Sequence, residues 1–381
     1  VSPNDPREES PSLDLLYSDI EEALRDAVRD LLTDHCEPTA VTDLYDGDRS
    51  VVAGLWSRLA GELGLAGLLV PEERGGAGAT AREAAVVLEE LGRAVAPVPF
   101  LTSAVIATLV LREAHGNLLE SLASGGTTAA LAVPWSTAPH APIPALTAKN
   151  DHRVSGTVRS VAGALEADHL LVPVDTGAGL GVYVVRTADV EVTPVVSLDM
   201  SRQLADLRLD QVLAEPVLDD AEAAVRGALA AGAALLASEQ LGLAQWCLDS
   251  TVDYVKQRRQ FGRAVGGFQA VKHRIADLYT AVESGRAAAR NAVATLAADD
   301  PDAPVATAVA QAFCSELAVT AAEETIQLHG GIGMTWEHPA HLYLKRAKSD
   351  QIALGTSGSH RAALAHLVDL PGPLDPAGGF R

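Results

Sequence analysis

The chain has 381 residues, with 50 acidic against 29 basic side chains, a formal net charge of −21 and a hydrophobic content of 48%. That length gives room for two or three domains with sizeable cores. The charge argues against a general nucleic-acid binder, so an anionic ligand would need a local basic patch. Cys36, Cys247 and Cys314 have neither metal-ligand spacing nor disulfide density and read as free thiols of a reducing, cytoplasmic compartment. The start, VSPNDPREESPSLD, is polar and acidic and does not read as a secretory signal. The most apolar uncharged run, Gly227 to Ser238, is short for a membrane span.

Residues 1–12 carry three prolines and several charges and are expected to form a disordered tail. Leu16, Ile20, Leu24, Val28 and Leu31 or Leu32 share one face of a helix expected over Leu13 to His35. A loop with Pro38, Gly47 and Asp48 follows, then a helical segment marked by Trp56, Leu59 and Leu63. Gly75, Gly76 and Gly78 stop helix formation. Thr80 with Glu83 forms a capping box for a helix running to about Gly92. Pro97 and Pro99 precede another helix, Leu101 to Leu111, and a short one spans Asn117 to Ser124. Residues 13–126 therefore read as a helical domain.

The pattern changes at Gly125-Gly126. Thr127–Val133, Leu170–Val174, Gly181–Val185, Val190–Val196 and Ala205–Leu209 are short, Val-rich and strand-like. With no long helix between them they predict a small β-barrel or sandwich over 127–218. The absence of a βαβ pattern and of G-x-G-x-x-G argues against a nicotinamide-dinucleotide fold.

Helical periodicity returns over 219–370, with long segments at Glu222–Gln257, Phe268–Asp299 and Pro304–His329. Shorter ones follow at Trp336–Lys348 and Ser359–Leu367, which predicts a bundle of about four helices. Residues 371–381 read as a tail. At the first helix junction, Tyr254 to Leu278 reads YVKQRRQFGRAVGGFQAVKHRIADL. Four basic residues crowd Lys256 to Arg263, and Gly266-Gly267 breaks the helix. On charge alone, this is either a solvated basic end or an anion site.

The same stretch closely resembles the helical hairpin of the acyl-CoA dehydrogenase family. So does Gln327 to Lys348, QLHGGIGMTWEHPAHLYLKRAK, and PEERGGAG followed by LEELGR resembles that family's N-terminal domain. The resemblance implies an α+β fold: an N-terminal helical domain, a middle β-barrel domain and a C-terminal four-helix bundle. It implies flavin adenine dinucleotide (FAD) shared between subunits, with the adenosine-diphosphate part against a neighbour's bundle. Arg258, Phe261, Gln269, Gln327, Gly330 and Gly331 match the residues that serve this part. An arginine fork suits a pyrophosphate and glycine permits close backbone approach. A helix start adds partial positive charge.

Elsewhere the family wording is missing. A stretch like TEPxxGSD is replaced by AVPWSTAPHAPIPAL, Ala132 to Leu146, and the next motif by GTVRSVAGA, Gly156 to Ala164. The family's catalytic glutamate before Gly-Thr is replaced by Leu354. Its alternative position, earlier in the long helix, holds Gly232 and Ala233. No catalytic residue is assigned. Asp350 could face the cleft as a displaced base, whereas Glu239 should point elsewhere. His329, His338 and His341 are ordinary family wording, and no metal site is expected.

The chain thus resembles the non-catalytic subunit of actinobacterial heteromeric acyl-CoA dehydrogenases. The resemblance implies a catalytic partner subunit in a heterotetramer and an acyl-CoA substrate, bulky or steroid-derived, bound through that partner. An electron-transfer flavoprotein would be the acceptor, with no nucleic acid or membrane involved. Two alternatives stay open: a self-sufficient homotetramer with a displaced base, and a non-redox protein reusing the fold.

Overall fold

The computed structural model describes residues 13–149 and 151–370. The two expected tails, 1–12 and 371–381, lie outside the described residues. The N-terminal helices are α1 (Asp19–His35), α2 (Pro38–Asp43), α3 (Ser50–Ser57), α4 (Ala81–Arg93), α5 (Thr108–Leu111) and α6 (Leu118–Ala123). Both α1 and α4 begin in capping boxes, Ser18 with Glu21 and Thr80 with Glu83. The α1 box starts the helix later than the apolar pattern suggests. Arg82 pairs with the buried Glu21 at 2.7 Å and donates to the carbonyls of Asp14 and Leu16. Leu16 and Ile20, expected on the buried face, are therefore exposed. The loop expected after His35 contains α2, which has proline in its first turn, where a missing N–H costs nothing.

The middle domain is one eight-stranded sheet. Its strands are β1 (Ala129–Leu131), β2 (Leu146–Ala148), β3 (Arg153–Ala162), β4 (His169–Asp175), β5 (Leu180–Arg186), β6 (Glu191–Pro194), β7 (Leu204–Leu213) and β8 (Glu215–Leu218). The order is β6-β7-β3-β2-β4-β5-β8, with β1 beside β4. Most pairs are antiparallel, while β1–β4 and β2–β4 are parallel. The sequence pattern missed β2, β3 and β8. In β3, irregular pairing with β7 around Gly156 and between Val158 and Val161 breaks the alternation that would mark a strand.

The bundle consists of α7 (Glu222–Gln257), α8 (Gln269–Ala297), α9 (Ala303–His329), α10 (Ala340–Asp350) and α11 (Ser357–Leu367). By length and composition α7 and α9 could each cross a membrane. However, 89% and 72% of those apolar stretches are buried inside the structure. They are core helices, and Ala at close spacing lets them pack tightly. Helices α4 and α7 cross at two glycines. A Cβ on Gly92 would lie 2.0 Å from the Glu239 carbonyl oxygen, and one on Gly242 would lie 1.8 Å from that of Glu89. Both obstacles are backbone, so neither can swing aside. Gly242→Ala should therefore destabilise the fold by about 3 kcal/mol. Urea denaturation checks this, and a change within error of zero would mean the helices slide apart freely.

Candidate functional site

The structure brings the two family-like blocks to one end of the bundle. Between α7 and α8 the chain forms a two-residue β-ribbon, β9 (Arg259–Gln260) with β10 (Arg263–Ala264). Phe261 and Gly262 are its tip, with φ of +50° and +78°, the left-handed pair that a tight hairpin demands. Glycine accepts this freely, phenylalanine does not. Yet the Phe261 ring is 91% exposed, so packing within this chain does not explain why an aromatic stands there. Strain of this kind on an exposed aromatic points to a contact made outside the chain.

Around that tip the side chains are poised and unpaired. Arg258 ends α7: its N–H donates to the Tyr254 carbonyl at 2.8 Å, and its own carbonyl accepts from Val265 N–H at 2.8 Å. Among the described residues, Lys256, Arg258, Arg259 and Arg263 form no ion pair. The Arg263 guanidinium lies 3.9 Å from the Phe268 ring centroid. Gln269 is exposed at the first turn of α8.

The second block joins through rings. Tyr254 stacks on His329 with centroids 4.4 Å apart, and His329 leans on His338 at 4.3 Å. His329 Nδ1 is 2.7 Å from the Thr325 carbonyl oxygen. Burial pushes the imidazoles of His329 and His338 down, His338 to about 4, with neighbouring imidazoles adding to that shift. These neutral, stacked rings hold the Gly330 turn beside the Arg258 turn. Gln327, Gly330 and Gly331 are exposed there, and both glycines face open space. Unpaired guanidiniums, a helix start and bare backbone form a surface suited to a pyrophosphate. The adenosine-diphosphate part of a flavin dinucleotide fits these residues.

The other half of a flavin site is closed. Leu354 N–H donates to the Trp135 carbonyl at 2.8 Å, joining the segment after α10 directly to the loop after β1. Trp135 N–H in turn donates to the Ser160 carbonyl at 2.9 Å. Trp135 and Leu354 are 6% and 1% exposed. With Ile106, Thr102, Leu131, Val133, Ala162 and Leu229 they leave a cavity of only about 20 Å³, room for one water at most. Ile106 and Thr102 come from a π-helical turn, Phe100–Ala107, a conformation frequent at functional sites. A fused three-ring flavin does not fit this cavity.

The two positions to which the resemblance assigns a base, 232 and 354, do converge. A Cβ on Gly232 would be 3.3 Å from Leu354 Cδ1 and 2.9 Å from Ile106 Cγ1. The side chains that meet there, Ile106 and Leu354, are aliphatic. Asp350 does not face a cleft, as the sequence allowed. It is completely buried and accepts from Arg202 Nη2 at 3.3 Å. Arg202 also pairs with Glu239, and Arg346 reaches Glu239 at 2.6 Å and Asp199 at 3.1 Å. Burial pushes the Glu239 carboxyl up, but the two arginines outweigh this and hold it low. Asp249 pairs with Arg93 at 2.8 Å.

Sequence reasoning missed Trp135 and this ion cluster. The lone tryptophan within AVPWSTAPH was the available signal for the first. The second joins residues from distant segments and had none.

A helical domain, a sheet and a bundle in this order, with a cationic turn beside a Gly-Gly segment, define a flavin-dependent dehydrogenase scaffold. The chain belongs to the acyl-CoA dehydrogenase family: residues 18–125 match its N-terminal domain and residues 223–368 its C-terminal domain. Acyl-CoA dehydrogenase IpdE2 of Mycobacterium tuberculosis (strain ATCC 25618 / H37Rv) is 38% identical over 328 residues, covering 85% of this chain and 89% of the relative. The solved structure of the Tcur3481-Tcur3483 steroid ACAD G363A variant has a TM-score of 0.80 at 30% identity, over 92% of this chain and 98% of that one. The ChsE4-ChsE5 complex from Mycobacterium tuberculosis superposes at a TM-score of 0.82 with 26% identity, over 94% and 100%. The family supports an oxidoreductase role and flavin use.

Proposed function

We propose that this chain is the non-catalytic subunit of a heteromeric, FAD-dependent acyl-CoA dehydrogenase. It lends the adenosine-diphosphate side of the flavin site to a catalytic partner subunit. The observation that carries the reading is the asymmetry between two half-sites: the exposed, unpaired Arg258 turn, and the cleft shut by the Trp135–Leu354 backbone bond. In this reading Arg258 binds the pyrophosphate, Phe261 and Gln269 flank it, and Gln327, Gly330 and Gly331 offer close backbone approach. FAD, when bound, supplies the hydride acceptor for α,β-desaturation of an acyl-CoA. The ring contacts and the proton-abstracting carboxylate come from the partner, in a heterotetramer. Two relatives support the pairing and a bulky substrate: one is a steroid ACAD of two named chains, and another is itself a complex. An electron-transfer flavoprotein as acceptor and a cytoplasmic location complete the proposal.

A self-sufficient enzyme with Asp350 as base is disfavoured, because that carboxylate is sealed among charged partners. The test is expression of the full chain alone and together with the neighbouring-gene paralogue. No flavin in the chain alone, and flavin with acyl-CoA oxidation in the co-purified complex, is the expected result. Full flavin occupancy with turnover from this chain alone would overturn the proposal. Absence of flavin in both would favour a non-redox role.

A further inference from the structure

The buried ion cluster contains an odd charge. Three carboxylates, Asp199, Glu239 and Asp350, meet two guanidiniums, Arg202 and Arg346, and all five side chains are at most 8% exposed. Each guanidinium pairs with two of the carboxylates, although Arg202 Nε has no hydrogen-bond partner. Arg202 bonds Glu239 and Asp350, and Arg346 bonds Glu239, Asp199 and Ser201. Within these five, carboxylates outnumber guanidiniums by one, and the further cation is the partly exposed Lys345 on the Asp199 side. Asp350 accepts from Arg202 through Oδ1 only, and its Oδ2 is buried with no hydrogen-bond partner. An uncompensated buried carboxylate costs several kcal/mol, and taking up one proton removes that cost.

The cluster's position gives the proton a role. Asp199 and Arg202 lie in the segment between β6 and β7. Glu239 is on α7, and Arg346 and Asp350 are on α10. The cluster therefore ties the sheet domain to the bundle. It also sits against the closed cleft. The Arg202 guanidinium lies over the Trp135 ring at 5.0 Å. The Asp350 carbonyl accepts from Ala353 N–H at 3.3 Å, one residue before Leu354. It also accepts from Gln240 Nε2 on α7 at 3.3 Å.

We propose that Asp350 carries a proton at neutral pH and acts as a one-proton latch that keeps this chain's cleft shut between Trp135 and Leu354. The charged groups facing it are Arg346 on its own helix, Glu239 on α7, and Asp199 and Arg202 before β7. Around these stand the neutral Ser201, Gln240 and, on α9, Gln311, and beside Asp199 the cation Lys345. Burial and then the Glu239 charge push the Asp350 carboxyl up to about 8, against the pull of Arg202 and Arg346. Because the folded value lies above the unfolded one, the latch contributes fully only below the unfolded carboxyl value and weakens steadily above it. Its contribution is lost as pH rises through about 8. The inference rests on the closed cleft and stands or falls separately from pairing with a catalytic subunit.

Infrared difference spectroscopy on the full chain, across about two pH units either side of the transition, reads the proton directly. A buried protonated-carboxyl band that disappears on alkalinisation, and is missing in Asp350→Asn, is expected. Hydrogen exchange then reads the latch. After correction for intrinsic rates, protection of the Leu354 amide should fall about 100-fold over the same interval in the natural chain, most of it below the transition, and stay level in Asp350→Asn. No protonated carboxyl at neutral pH overturns the proton. A band that titrates while Leu354 protection stays constant overturns the latch. Both measurements on the unaltered chain remain informative if Asp350→Asn fails to fold.

Discussion

Arg258→Ala in the assembled complex is expected to weaken flavin retention by about 10- to 100-fold, the effect of removing one charged, forked donor from a pyrophosphate. The structure makes this a clean experiment. Arg258 serves the fold through its backbone, which closes α7 and receives Val265 N–H, and alanine keeps both bonds. Its side chain is exposed and enters no ion pair among the described residues. Fold and assembly should therefore survive while the ligand is lost. Arg258→Lys should recover part of the loss, because it restores the charge but not the planar fork. Flavin per subunit after gel filtration, and the flavin dissociation constant, are the measurements. A complex with Arg258→Ala that retains flavin as the natural one does would remove Arg258 from the site.

The sequence made one half of this picture legible and hid the other. The long helices were readable because α7, α8 and α9 carry sustained periodicity between strong breakers. Their ends fall within two residues of the pattern. The Arg258 and Gly330 blocks were readable because a phosphate surface needs a compact set of local residues. That they meet depends on Tyr254 packing on His329, across two helices that no local pattern connects. On the other side, AVPWSTAPHAPIPAL told what was missing but not what replaced it. Closure by Trp135 and Leu354 is a contact between segments more than two hundred residues apart in the chain. The ion cluster is subtler still. Asp350 looked like a carboxylate near a cleft, because sequence gives its distance from Leu354 but not the arginine brought over from before β7. Burial converts a candidate base into a structural group.

Leu354→Glu puts a glutamate where the resemblance expects the base, yet the isolated chain is expected to gain no turnover and to lose about 3–5 kcal/mol of stability. The side chain it replaces is 1% exposed, amid Ile106, Leu131, Val133, Leu229 and the Trp135 ring. The cavity there holds about 20 Å³, so the carboxyl would neither be hydrated nor find room beside a substrate. Thr102 supplies the one hydroxyl in this lining, and it already donates to the Pro99 carbonyl at 3.3 Å. Burial would raise the introduced carboxyl above its unfolded value, so the folded state would bind a proton that the unfolded state releases. Stability of the variant relative to the natural chain should therefore fall as pH rises from the unfolded carboxyl value through the raised one. Thermal unfolding of both proteins across that range, with acyl-CoA oxidation assayed in parallel, separates the outcomes. A melting difference that stays level as pH rises would mean that the carboxylate reaches water. Turnover by the variant chain without a partner would mean that the cleft opens to both flavin and substrate, and the Trp135–Leu354 closure would not govern its function.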